Sequence, residues 1–146
     1  MRILLTVTRL FLGVFLLFNG INMWFPFLPV QMPDSQTALD LMHGLVASGL
    51  FSCVKVVEVA AGLMLIFNRF VPLALAAMLP LTVVIAWVDF VLIVSPNSIV
   101  FGALLVVPQA LLMLFYLRYY LPMFVMRAEP AAPTGEAVAQ AVAATP

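Results

Sequence analysis

The sequence predicts an all-α integral membrane protein: a four-helix bundle with N- and C-termini cytoplasmic and a short interfacial helix between the first two spans. Three observations carry this. The 146 residues are 66% hydrophobic and only 8% charged, whereas about a quarter of residues are charged in an ordinary globular domain. Crossing about 30 Å of hydrocarbon takes about 20 residues per helix, so the chain can hold four spans with short connections. Finally, Arg2, Arg9, Arg69, Arg118 and Arg127 all fall on one side of a four-span threading, while the 24–48 connection and the turn at Ser95 contain no Lys or Arg. Basic residues accumulate on the cytoplasmic side, and a missed or extra span would scatter these five over both faces.

The first span is expected over about 4–23. Arg9 interrupts the apolar run and no small-residue cleavage site follows, so the segment is a retained span rather than a signal peptide. The Arg9 guanidinium either leans toward the nearer surface or joins a buried ion pair. Trp24-Phe25-Pro26-Phe27-Leu28-Pro29 supplies the aromatic and proline residues of an interfacial exit.

Between 31 and 47 lies the one polar connection of any length, where Asp34 or Ser35 can cap a short helix. Leu39, Met42 and Val46 share one face of it and Asp40 and Gly44 another, as in a helix lying on the membrane surface. His43, the single histidine, has no second ligand at helical spacing and reads more simply as a surface residue than as a metal or proton-relay group.

The second span, about 48–67, is the most demanding because it carries Lys55 and Glu58 in an otherwise apolar run. Its ten Leu, Ile, Phe and Val residues contribute about −3 to −6 kcal/mol toward insertion, and two central charges oppose this by roughly 5 to 7 kcal/mol. Those charges therefore need a partner or hydration inside the protein. After a short turn at Asn68 and Arg69, Pro72 opens the third span, about 70–94, in first-turn position. That span contains Pro80 and, near its far end, Asp89. Ser95-Pro96-Asn97-Ser98 reads as a tight turn, and the fourth span follows over about 99–117 with Pro108 and Gln109 at mid-length. Pro80 and Pro108 either bend their helices around neighbours or act as hinges. Phe115, Tyr116, Tyr119 and Tyr120 around Arg118 form an aromatic belt. The membrane domain thus occupies 1–127, and 128–146, rich in Ala, Pro and Thr, is expected to be a disordered tail.

A rise of 1.5 Å per residue sets relative depths. Counted from the outer ends, Lys55 lies about 10 Å down, Asp89 about 8 Å and Asn19 about 6 to 10 Å, so these share a layer. Glu58 is at i+3 from Lys55, on the same helix face. The expected intramembrane polar cluster comprises Lys55, Glu58, Asp89, Asn19, Asn22 and Arg9. One lysine cannot compensate two acids, so either Arg9 reaches Glu58 or one carboxyl group carries a proton. Such a cluster either fixes helix register or serves proton-coupled or ligand chemistry.

Other classes are excluded by what is missing. The zero net charge and scattered basic residues do not suit nucleic acid. Cys53, the only cysteine, has no disulfide partner and no metal-ligand spacing, and is expected as a small apolar helix residue. No nucleophile with a base, phosphate loop, haem ligand pair or metal cluster is evident.

Arg9 in the first span, Phe18-Asn19-Gly20-Ile21-Asn22-Met23-Trp24-Phe25-Pro26-Phe27, Ala47-Ser48-Gly49, and Lys55-Val56-Val57-Glu58-Val59-Ala60-Ala61-Gly62 leading to Asn68-Arg69-Phe70-Val71-Pro72 together resemble the DoxX family of small four-span membrane proteins, over about Arg9 to Leu117. Related sequences often have lysine where Met23 stands, and an Asn and a His where Val84 and Asp89 stand; of the family's polar residues, Arg9, Lys55 and Glu58 carry over. The resemblance implies a multi-pass protein of the inner (plasma) membrane, a non-catalytic accessory or subunit of a redox, quinone-linked or stress-response system rather than an enzyme alone. No cofactor is evident from the residues; a quinone is the candidate that this resemblance brings. Membrane lipid is the expected surrounding, with a membrane protein or a second copy as partner. Two other readings stand beside it: a proton-coupled carrier of small hydrophobic molecules, and a structural partner of another membrane protein.

Overall fold

In the computed structural model, residues 2–27, 35–124 and 143 are described. The tail expected over 128–146, apart from residue 143, lies outside them, as do Asp34 and Arg127. All regular structure among the described residues is helical. The chain forms α1 (Arg2–Ile21), α2 (Gln36–Ala47), α3 (Leu50–Ile66) and α4 (Val71–Trp87). A π-helical turn (Val88–Ile93) extends α4, and α5 (Pro96–Phe115), α6 (Leu117–Tyr120) and a 3₁₀ turn (Leu121–Met123) complete it. Among the described residues, three helices are long and apolar enough to cross a bilayer: α1, α4 with its π extension, and α5. The 17-residue α3 meets α2 at an 83° bend, and counting that pair as one gives four.

Local sequence explains the helix ends. At the bend, Gly49 has φ +75, a left-handed conformation that a residue without Cβ adopts at little cost, and α3 starts immediately after it. Ser35 precedes α2 in extended conformation but makes no side-chain cap. The tight turn expected at Ser95–Ser98 is instead the start of α5. Ser95 Oγ accepts from Ser98 N at 3.1 Å and Ser98 Oγ accepts from Ser95 N at 3.0 Å, with Pro96 at the first helical position. This capping box satisfies two backbone donors that would otherwise lack partners, so the helix begins three residues earlier than the apolar pattern indicates.

α1 packs most extensively on α3, α3 on α4, α4 on α5, and α5 returns to α1. Leu12, Leu16, Ala61, Leu65, Leu75 and Met78 are among the buried residues at the centre. Outward, large apolar side chains such as Val56, Val83, Trp87, Val107 and Leu114 are exposed, a surface suited to lipid rather than water. The Arg9 guanidinium donates to the Leu65 carbonyl, and Tyr120 Oη donates to the Pro72 carbonyl at 2.7 Å. These contacts bring the start of α1, the end of α3, the start of α4 and the end of α5 to one end of the molecule, where Arg9, Arg69 and Arg118 gather.

Candidate functional site

The site is built on a close approach of α1 to α3. A Cβ on Gly20 would come within 2.6 Å of Val59 Cγ2 and 3.2 Å of the Lys55 carbonyl oxygen. A Cβ on Gly62 would come within 2.8 Å of the Gly13 carbonyl oxygen. Small residues at such crossings let membrane helices pack backbone to backbone. The approach carries Asn19, next to Gly20, onto α3.

Glu58 is fully buried (0% exposed) and Lys55 nearly so (7%). Lys55 Nζ lies 2.8 Å from Glu58 Oε2, and Asn19 Nδ2 donates to the same oxygen at 3.0 Å. The ammonium also stands 5.2 Å from the centre of the Phe51 ring, an arrangement that attracts a cation to the ring face. Glu58 Oε1 is buried and has no hydrogen-bond partner among the described residues. One carboxylate oxygen is therefore doubly held, and the other is vacant as an acceptor.

The structure brings Lys55, Glu58 and Asn19 together and places the other three expected residues elsewhere. Arg9 serves the carbonyls of Leu65 and Ile66, the latter at 3.4 Å. It thereby satisfies acceptors at the C-terminal end of α3, where a cation also complements the helix dipole. Asn22 Oδ1 accepts from Phe27 N at 2.9 Å and closes the exit turn of α1. Asp89 is also buried (9% exposed), but it lies in the π-helical turn, which packs on α2 and α5. The single ion pair among the described residues is Lys55–Glu58.

A further buried polar contact links α4 to α5. Thr82 Oγ1 donates to Gln109 Oε1 at 2.6 Å, and Gln109 Nε2 donates to the Leu75 carbonyl at 3.3 Å. Both side chains are buried. The available signal was an uncharged polar residue at mid-length in each of two neighbouring apolar runs, weaker than a charge because a hydroxyl or amide is less costly in a membrane. Cys53 is exposed, and no group of three or more His, Cys, Asp or Glu side chains comes together among the described residues.

Apolar helices with a lipid-compatible outer face and a charged pair sealed between two of them define a helical membrane protein with an intramembrane polar site. The DoxX family profile matches residues 4–91, more than half of the chain and all of the residues of this site. The chain belongs to the DoxX family. No curated protein and no solved structure matches it.

Proposed function

We propose that this DoxX protein is a small plasma-membrane subunit or accessory of a redox or stress-response system, and that its Lys55–Glu58–Asn19 cluster receives the polar ring of a quinone-like lipid. In this reading α1, α3, α4 with its π extension, and α5 cross the bilayer, with α2 on the outer surface and both termini in the cytoplasm. At 1.5 Å per residue α3 is about 26 Å long, a modest shortfall that thinning of the bilayer accommodates.

The observation that carries the proposal is the unpartnered Oε1 of Glu58 beside a buried ammonium. Buried polar atoms in native structures nearly always have a partner, so an orphan marks a place where an unseen donor belongs. A quinone-class ring suits this set. Lys55 has three donors, of which one suffices for Glu58, and can donate to a ring oxygen, while Oε1 can accept from the hydroxyl of the reduced ring. Asn19 keeps Oε2 in place. Because Glu58 is fully buried, such a ring reaches it between helices from the lipid phase.

The test is purification in mild detergent followed by mass spectrometry of the extracted lipids and an assay of quinone reduction. Wild-type protein is expected to retain a quinone, and Glu58→Gln to lose it while still eluting as a folded species. Equal loss of folded protein in Glu58→Gln and Lys55→Met would reduce the pair to a device for helix register. Substrate movement driven by a pH gradient in liposomes would point to a carrier instead. A co-purifying protein with neither activity would leave a structural role.

A further inference from the structure

Asp89 is a second buried carboxylate, on a different pair of helices from Glu58. It is nine-tenths buried, and its Oδ2 has no hydrogen-bond partner among the described residues. That oxygen faces α5: a Cβ on Gly102 would lie 3.1 Å from Oδ2 and 3.1 Å from the Asp89 Cβ, so the glycine leaves the room the carboxylate occupies. One turn closer to the start of α5, Ser98 Oγ donates to the Asp89 carbonyl at 3.1 Å and lies 3.1 Å from Ser95 Oγ. The carbonyl, which also accepts from Val94 N, and the two hydroxyls thus satisfy one another, and Oδ2 is left as the open acceptor at the end of the molecule opposite Arg9 and Arg69.

Among the described residues, no cation pairs with this carboxylate. The π-helical turn packs on α4, α5 and α2. α4 and α5 contain no titratable residue, and the titratable residues of α2 are Asp40 and His43. An ionised carboxylate removed from water requires a compensating positive charge. A single carboxylate charge is balanced by one ion of charge one, and oxygens at interrupted membrane helices hold such ions in transporters. We propose that the Asp89 carboxylate, held against Gly102, binds a small monovalent cation, Na⁺ or a proton, at a site independent of the Glu58 cluster.

Thermal unfolding of the detergent-solubilised full chain tests this. One arm compares NaCl, LiCl and choline chloride at equal ionic strength and fixed pH; the other varies pH in choline chloride. The melting temperature of wild type is expected to respond to Na⁺ if the metal ion is the occupant, or to pH alone if the proton is. The response should vanish in Asp89→Asn and shrink in Gly102→Ala, whose new methyl group crowds Oδ2. A wild-type protein indifferent to both arms overturns the proposal, as does a response kept at full size in Asp89→Asn. Should Asp89→Asn fail to fold, Gly102→Ala decides, and a full-size response there is equally fatal. His43→Gln and Asp40→Asn are expected to leave the response unchanged, and its loss in either would assign the effect to α2.

Discussion

The α1–α3 and α4–α5 interfaces solve one problem in opposite ways. Between α1 and α3, glycines bring the backbones together, and the polar groups sealed there are an ion pair and an amide on one carboxylate oxygen. Between α4 and α5, each helix carries an internal proline, Pro80 and Pro108, and the contact is a neutral chain from Thr82 through Gln109 to a backbone carbonyl. Charge is placed where glycines bring the backbones together, and uncharged hydrogen bonds suffice where each helix carries a proline. The difference implies that the first interface is costly to disturb and the second forgiving.

The largest effect should come from Lys55→Met, which leaves Glu58 buried without its cation. Removing one partner of a buried pair typically costs about 3–5 kcal/mol, and unfolding in detergent–denaturant mixtures should show a loss of that size. A value below that of any α4–α5 substitution would break the comparison. Next comes Gly62→Ala, where the new carbon would meet backbone, the Gly13 carbonyl oxygen at 2.8 Å and Leu17 N at 3.0 Å. Overpacking of this kind costs about 1–3 kcal/mol; a denaturation midpoint equal to wild type would show that the approach is not tight.

Thr82→Val removes the donor to Gln109 and should cost about 0.6–1.7 kcal/mol, the range for hydrogen bonds between membrane helices. The double variant Thr82→Val with Gln109→Leu should recover part of that loss, since no orphan acceptor remains. A double-mutant cycle with zero coupling would sharpen the contrast further by emptying the α4–α5 contact of net energy. The smallest change is expected from Arg9→Gln, about 0.3–1 kcal/mol for a charge at a helix end. Amide hydrogen exchange should locate it in the last turn of α3.

Much of this layout is legible in the sequence because membranes make it so. Apolar runs of fixed length locate α1, α4 and α5, and the i+3 spacing of Lys55 and Glu58 places them on one face whatever else surrounds them. Depth counting also puts Asn19 near their level. Rotation about a helix axis is harder to read. Asp89 has a depth suited to Lys55 but belongs to a turn with i+5 hydrogen bonding, Val94 N to the Asp89 carbonyl at 3.2 Å, and it faces Gly102 of α5. Nothing in an apolar run announces that local change of winding. Arg9 was legible as a residue in need of a partner, but its acceptors are backbone carbonyls at Leu65 and Ile66, which every helix end possesses and no side-chain pattern reveals.

Because Lys55 and Glu58 ride on the same helix, one turn apart, their charges can cancel before any other segment arrives. What the insertion machinery must release sideways into lipid is then a neutral dipole rather than two separate ions, and the tally of about 5–7 kcal/mol for independent charges overstates the obstacle. The nascent chain can commit this segment to the bilayer early and leave the remaining oxygen of Glu58 to be satisfied only after assembly.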